Sequence, residues 1–288
     1  MDTPFTIGIV GYGEVGRILA EDLRAQGVAV HAHDVFPASA EHAARHGVQL
    51  AVSHAELAQN ADMVFSAVTA SQALAAASAC AADMRAQAWF IDLNSASPGT
   101  KQRCAAVIEQ AGGRYVEGAV MASVPPYRIK VPLLLGGPHA GALCGQLNQL
   151  GFAASVGSQQ LGTASALKMC RSVMIKGMEA MVIESFTAAR AYGVEDQLIA
   201  SLQETFPAID WNTQAAYFFQ RVIQHGRRRS EEMREVAHTV REAGLEPWSA
   251  SATAERQAWI AELFAANGER SADWRMAADC ILTHVRKP

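Results

Sequence analysis

One turn near the start of the chain limits its possible folds more than any other segment. Ile9-Val10-Gly11-Tyr12-Gly13-Glu14-Val15-Gly16 spaces its glycines as G-x-G-x-x-G. An apolar, β-branched run precedes it at residues 5–10, and a helical pattern follows at 14–26. Between a strand and a helix, each glycine has a physical use. Gly11 permits the tight turn, Gly13 lets the backbone approach a pyrophosphate, and Gly16 lets the helix pack close to the strand. The helix start then offers N–H groups and the positive end of its dipole to the anion.

The rest of the first half repeats the strand-then-helix rhythm. Residues 28–34 read as a second strand ending at Asp34, with further candidates at 48–50, 63–68, 88–93, 115–121 and 131–135. Such alternation implies a parallel sheet with helices on both faces. Asp34 falls about 20 residues past the turn, where a dinucleotide's ribose hydroxyls lie in an α/β Rossmann domain. Its carboxylate accepts from a 2′-OH and repels a 2′-phosphate. The following Val35-Phe36-Pro37-Ala38-Ser39 holds no Arg or Lys to neutralise that phosphate. NAD is therefore the expected cofactor and NADP the alternative, with His31 and His33 close by on one strand face.

After Gly162 the pattern turns helical. A long helix is expected over 163–192, stopped by Gly193, with others at 194–205, 211–224, 230–243, 250–267 and 273–285. The organisation read from this is a Rossmann domain over 1–160 and an all-α substrate and dimerisation domain over 161–288.

Half of the 288 residues are hydrophobic, enough for a sizeable core, and the length fits one or two domains. A net charge of −4 gives no reason to expect nucleic acid or an anionic membrane as a partner. The apolar stretches are broken by Gly, Pro or charge before spanning length. Cys80, Cys104, Cys144, Cys170 and Cys280 form no CxxC pair and have no His at metal-ligand spacing. The expectation is a cytoplasmic protein without a signal peptide, disulfide framework or metal.

At four places the chain resembles the β-hydroxyacid dehydrogenase superfamily, which includes 3-hydroxyisobutyrate and 6-phosphogluconate dehydrogenases. The first is the turn, continuing into Arg17-Ile18-Leu19-Ala20. The second is Ala61-Asp62-Met63-Val64-Phe65-Ser66-Ala67-Val68, similar to the strand whose end lies against the cofactor. The third is Asp92-Leu93-Asn94-Ser95-Ala96-Ser97-Pro98, where Asn94-Ser95 looks like the 6-phosphogluconate branch. The fourth is Gly162-Thr163-Ala164-Ser165-Ala166-Leu167-Lys168. The resemblance implies hydride transfer at nicotinamide, a loop at Asn94 and Ser95 beside that ring, and Lys168 as the catalytic lysine. It adds Tyr12, Glu14, Val15, Val68 and Asn94 to the glycines and Asp34 as cofactor-binding residues.

The chain also departs from the family. Arg171 and Ser172 stand where an Asn is usual, and Ile175 where the 6-phosphogluconate branch has a Glu. The substrate loop reads Met121-Ala122-Ser123-Val124-Pro125-Pro126 in place of Ser-Gly-Gly. Glu231-Glu232-Met233 falls near the place of a Lys-Asp pair. The second half looks like a branch whose helical domain has no assigned function, so the reaction class carries over better than the substrate.

Oxidising an alcohol needs a base for the hydroxyl proton, and the reverse reaction needs an acid. A lysine with a pKa near 10.4 is a poor base unless burial or a neighbouring cation lowers it. Arg171, one turn beyond Lys168, is placed to do that or to hold a substrate carboxylate. Lys168, Ser172, Ile175 and Glu179 share one helical stripe, with Glu179 further from the chemistry. Asn94, Ser95, Ser123, Arg171, Ser172, His225 and Arg228 are the candidate substrate residues. Arg227 and Arg229 read as a solvated helix start partnered by Glu231, Glu232 and Glu235.

The reading is an NAD(P)-dependent oxidoreductase acting on a small, carboxylate-bearing hydroxy acid or its carbonyl partner. The alternatives are an imine or ketone reductase on the same scaffold, which Lys168 and Asp34 disfavour, and a non-catalytic dinucleotide-binding module. The helix over 164–181, rich in Met and Ala, is apolar enough all round to predict a homodimer.

Overall fold

The computed structural model describes residues 5–36, 40–267 and 273–285. The chain divides into two compact units, Met1–Met169 and Cys170–Pro288. The seam falls inside a helix, nine residues later than the position near 160 suggested by the change in sequence pattern.

The first unit is built on one eight-stranded sheet: β1 (Thr6–Val10), β2 (Ala29–His33), β3 (Gln49–Leu50), β4 (Met63–Ser66), β5 (Trp89–Asp92), β6 (Arg114–Val120), β7 (Pro132–Gly136) and β8 (Ala153–Ser158). Their order is β3-β2-β1-β4-β5-β6-β7-β8. The order reverses between β1 and β4, and open α/β sheets bind ligands at such a crevice, beyond the strands' carboxyl ends. The central β1, β4 and β5 are buried on both faces, so they read as continuous apolar runs. Ile7, Ile9, Phe65 and Ile91 pack to one face, and Val64, Phe90 and Tyr115 to the other.

Helix α1 (Glu14–Ala25) buries Gly16, Leu19, Ala20 and Leu23, a single helical stripe. The shorter α2 (Ala40–His46), α3 (His54–Asn60) and α4 (Ala73–Ala81) follow β2, β3 and β4 respectively. Helix α5 (Pro98–Gln110) has a local start signal: Pro98 is in the first turn and the Ser97 side chain accepts from Thr100 N–H.

Two strands depart from the parallel expectation. β7 runs antiparallel to β6. Residues 121–131 between them hold only the single-turn α6 (Val124–Tyr127) and a 3-10 turn, too short for a crossover, which needs about a dozen residues or more. β8, which follows α7 (Ala140–Gln149), pairs parallel with β7 at the sheet edge. Its sequence, Ala-Ala-Ser-Val-Gly-Ser, carries too little β-branched or aromatic character to be read as a strand.

Helix α8 (Thr163–Tyr192) forms as its sequence predicts and runs from one unit into the other. The second unit continues with α9 (Glu195–Thr205), α10 (Trp211–Glu242), α11 (Trp248–Asn267) and α12 (Trp274–Val285). Its core gathers Ile183, Phe186, Trp211, Phe219, Ile260 and Trp274, with Phe186 edge-on to Trp274 at 5.0 Å. The two helices expected at 211–224 and 230–243 are one. Gly226 does not break α10: a Cβ there would lie 2.5 Å from the carbonyl oxygen of Gln257. The glycine is the price of close approach between α10 and α11, and the helix runs through it.

Candidate functional site

The turn after β1 meets the ends of its neighbouring strands. Gly11 sits at φ +88°, and a Cβ on it would be 2.5 Å from the Ala67 carbonyl. A Cβ on Gly16 would lie 2.0 Å from the Gly11 carbonyl oxygen. Neither position has room for a side chain. Gly13 is different: its missing Cβ would meet nothing within 4 Å. It precedes α1 without a side-chain cap, and the space beside it at the helix start is open. That is the space a pyrophosphate requires, and the residues fit a dinucleotide.

Asp34 is joined directly to this turn. Its carboxylate accepts from Tyr12 N–H at 2.7 Å and from Phe36 N–H at 2.9 Å, fixing the end of β2 against the turn. Tyr12 contributes backbone only, because its ring is fully buried and its hydroxyl meets His42 Nδ1 at 3.1 Å. Burial raises the pKa of that phenol. Val68 lies on the other side, with its side chain beside Gly11.

The loop after β5 is set by a buried charge. Asp92 is wholly buried, and Lys101, 1% exposed, pairs with it at 2.8 Å and also donates to its carbonyl. Tyr115 O–H donates to the same carboxylate at 2.7 Å. Burial and that carboxylate push the Tyr115 pKa far up, so the phenol keeps its proton and remains a donor. Asp92 also accepts from Asn94 N–H. Asn94 is itself buried, with its carboxamide directed inward: Oδ1 accepts from Val68 N–H at 2.8 Å and Nδ2 donates to Ser66 Oγ at 2.9 Å. Asn94 thus ties the loop to the end of β4, and the next residue, Ser95, is the one presented outward.

Lys168 is brought to that loop. Its Nζ donates to Ser95 Oγ at 2.7 Å. The start of α8 is held by Glu117, a fully buried carboxylate on β6. Glu117 accepts from the amides of Gly162 at 2.8 Å, Ala164 at 3.1 Å and Ser165 at 3.3 Å. A negative charge at a helix N-terminus is favoured by the dipole. Gly136 provides the room, since a Cβ there would lie 2.2 Å from Glu117 Oε1. The sequence reading missed Lys101, Tyr115 and Glu117. Their partners are 9 to 48 residues away and are mostly backbone groups, which leave no mark in a motif.

The remaining candidates are more scattered. Ser123 is exposed and precedes α6. In the second unit Arg171 is exposed and Ser172 half-buried, while His225 is half-buried and Arg228 exposed, 3.7 Å from Glu232. Arg229 is not solvated as its sequence suggested. It is 4% exposed and ion-paired with the fully buried Glu179, to which Gln257 also donates. Lys176, also unmarked in the sequence, is buried and paired with Glu232, and burial lowers its pKa.

The comparisons with known proteins agree with this geometry. Residues 6–137 match the family described as the NAD binding domain of 6-phosphogluconate dehydrogenase, and residues 189–272 match a domain of unknown function, DUF1932. A conserved hypothetical protein from Sinorhizobium meliloti is 36% identical, with 97% of this chain and 96% of that one covered and a TM-score of 0.78. A second solved protein of unknown function, described as structurally similar to 3-hydroxyacid dehydrogenases, is 30% identical over 90% of this chain and 97% of its own, with a TM-score of 0.71. Human mitochondrial 3-hydroxyisobutyrate dehydrogenase is 22% identical over 72% of this chain, which spans 63% of that enzyme's length. The first unit is an NAD-binding domain, and the chain belongs to the β-hydroxyacid dehydrogenase superfamily, in a branch that joins this domain to a divergent helical one.

Proposed function

We propose that the chain is an NAD-dependent dehydrogenase that interconverts a small, carboxylate-bearing hydroxy acid and its carbonyl partner, with Lys168 as the acid/base. The contact of Lys168 Nζ with Ser95 Oγ, beyond the carboxyl end of β5, carries the reading. In the oxidative direction the neutral Lys168 amine accepts the substrate's hydroxyl proton, and Ser95 orients the lysine and the substrate oxygen. In the reductive direction the Lys168 ammonium returns that proton to the forming alkoxide. A nicotinamide bound at the turn would supply the hydride chemistry. Asp34 supports NAD over NADP, because its fixed negative charge opposes a 2′-phosphate. Arg171 is kept as a cation for the substrate carboxylate on residue type alone. The homodimer reading is supported by the apolar stripe of Met174, Ile175 and Met181, which are 64%, 41% and 64% exposed. A monomer by light scattering contradicts it.

The test is NAD+ reduction with a panel of small hydroxy acids, comparing wild type with Lys168→Ala. The expected loss in turnover is about 10²- to 10⁴-fold with NADH affinity nearly unchanged. Turnover that survives the substitution would remove Lys168 from the chemistry. Absence of turnover with every hydroxy acid, alongside reduction of imines, would favour the reductase alternative.

A further inference from the structure

Between α1 and α2, beside the buried Tyr12, is a cluster of side chains that the proposed reaction does not use. His42 and His46 lie four residues apart on α2, so both imidazoles project from one helix face. Their rings stack at 4.4 Å with an interplanar angle of 21°. Glu21, on α1, reaches His42 Nε2 with Oε1 at 2.8 Å. One nitrogen from each histidine and one oxygen from Glu21 lie within 4.8 Å of one another, the single such group of three among the described residues.

We propose that Glu21, His42 and His46 form a binding site for a divalent transition-metal ion of the zinc type. Two imidazoles and one carboxylate are the borderline donor set that Zn²⁺, Co²⁺ and Ni²⁺ prefer over Mg²⁺ or Ca²⁺. The partners behind the ligands suit the role. Tyr12 O–H lies 3.1 Å from His42 Nδ1, which leaves Nε2 as the ligating nitrogen and fixes the ring plane. Glu21 Oε2 is held by Arg128 at 2.6 Å, so Oε1 is the oxygen turned to the histidines. The Arg128 charge weakens the site, and Asp22, paired to the same guanidinium, offsets that charge. A metal on Nε2 requires the neutral imidazole with its proton on Nδ1, which donates to the Tyr12 oxygen. Three protein ligands leave at least one coordination position for water. Because His42 is bonded to Tyr12, the ion would clip α1 to α2 and stiffen the turn.

The experiment is calorimetric titration of the untagged full chain with Zn²⁺ and with Co²⁺, the Co²⁺ arm also followed by its visible absorption. Wild type is expected to bind one equivalent and to gain thermal stability on binding. His46→Ala and Glu21→Gln should each weaken binding by at least about tenfold. His54→Gln is the control, because His54 packs against His33 at 4.4 Å in another histidine pair. It should leave the titration unchanged. The proposal is overturned if no ion binds, or if His46→Ala binds as wild type does. Loss of the ion in His54→Gln would overturn it too.

Discussion

The two units both bury charge, and they use it differently. In the first, Asp92 and Glu117 are wholly buried, and between them they accept four hydrogen bonds from backbone amides, which set the loop bearing Ser95 and the helix start bearing Lys168. In the second, Glu179 meets Arg229 and Gln257, and Lys176 meets Glu232, side chain to side chain between helices. Charge that positions backbone serves an adjacent site. Charge that joins helices serves their register, and the domain carrying it has no assigned chemistry. Substitutions on each side can separate the two uses.

The largest effect on stability should come from the helical unit. Glu179→Ala leaves Arg229 buried without its counter-charge, which costs about 3–5 kcal/mol. Glu179→Leu combined with Arg229→Leu should recover most of that loss, because a buried pair exchanged for apolar groups is often neutral. Urea unfolding of the single and double variants measures both. Equal losses in the two would mean that the ion pair does more than fix packing.

A smaller effect is expected at Glu117→Gln, which weakens three amide contacts without changing shape. The expected stability loss is about 1–3 kcal/mol, as for hydrogen bonds to a charged acceptor. Turnover should fall further than this loss alone would give, because the start of α8 moves with Lys168. NADH affinity should hold, since the turn after β1 is built from other residues. A kcat decrease with an unchanged NADH Kd identifies Glu117 as a positioning residue. A parallel loss of NADH binding would make it merely structural.

The smallest effect is a pH dependence at Lys176. Burial lowers its pKa below the ordinary 10.5, so between the two values the unfolded chain binds the extra proton. The destabilisation is complete below the folded-state pKa and fades as pH rises toward 10.5. Compared with Lys176→Met, wild type should therefore gain in urea midpoint as the pH is raised through that window. An opposite slope would show that Glu232 holds the lysine charged more firmly than burial opposes it.

The same contrast governs how much could be read from the sequence. The turn, the position of Asp34 after β2, the long α8 and the position of Lys168 near its start were legible, because each rests on local spacing or on a residue type at a strand or helix end. The antiparallel β7 was not, since direction depends on the length of the connection rather than on the strand's own residues. β8 was hidden by small residues, and the separate helices expected at 211–224 and 230–243 are one α10 that passes close to α11 at Gly226. Arg229 lies in a run of basic residues with acidic ones close behind, the pattern of a solvated face. Its burial is set by Glu179, fifty residues earlier, which no local pattern reports. Asn94 marked the loop after β5, but its contacts with Val68 and Ser66 turn its side chain inward, behind Ser95.

The turn after β1 and Asp34 should together bind a nicotinamide dinucleotide and select NAD. Calorimetry of NADH and NADPH, on wild type and on Asp34→Ala, tests it most directly. NADH should bind more tightly than NADPH to wild type, and Asp34→Ala should weaken NADH binding and narrow the gap. Tighter NADPH binding to wild type, or no binding of either dinucleotide, would contradict it.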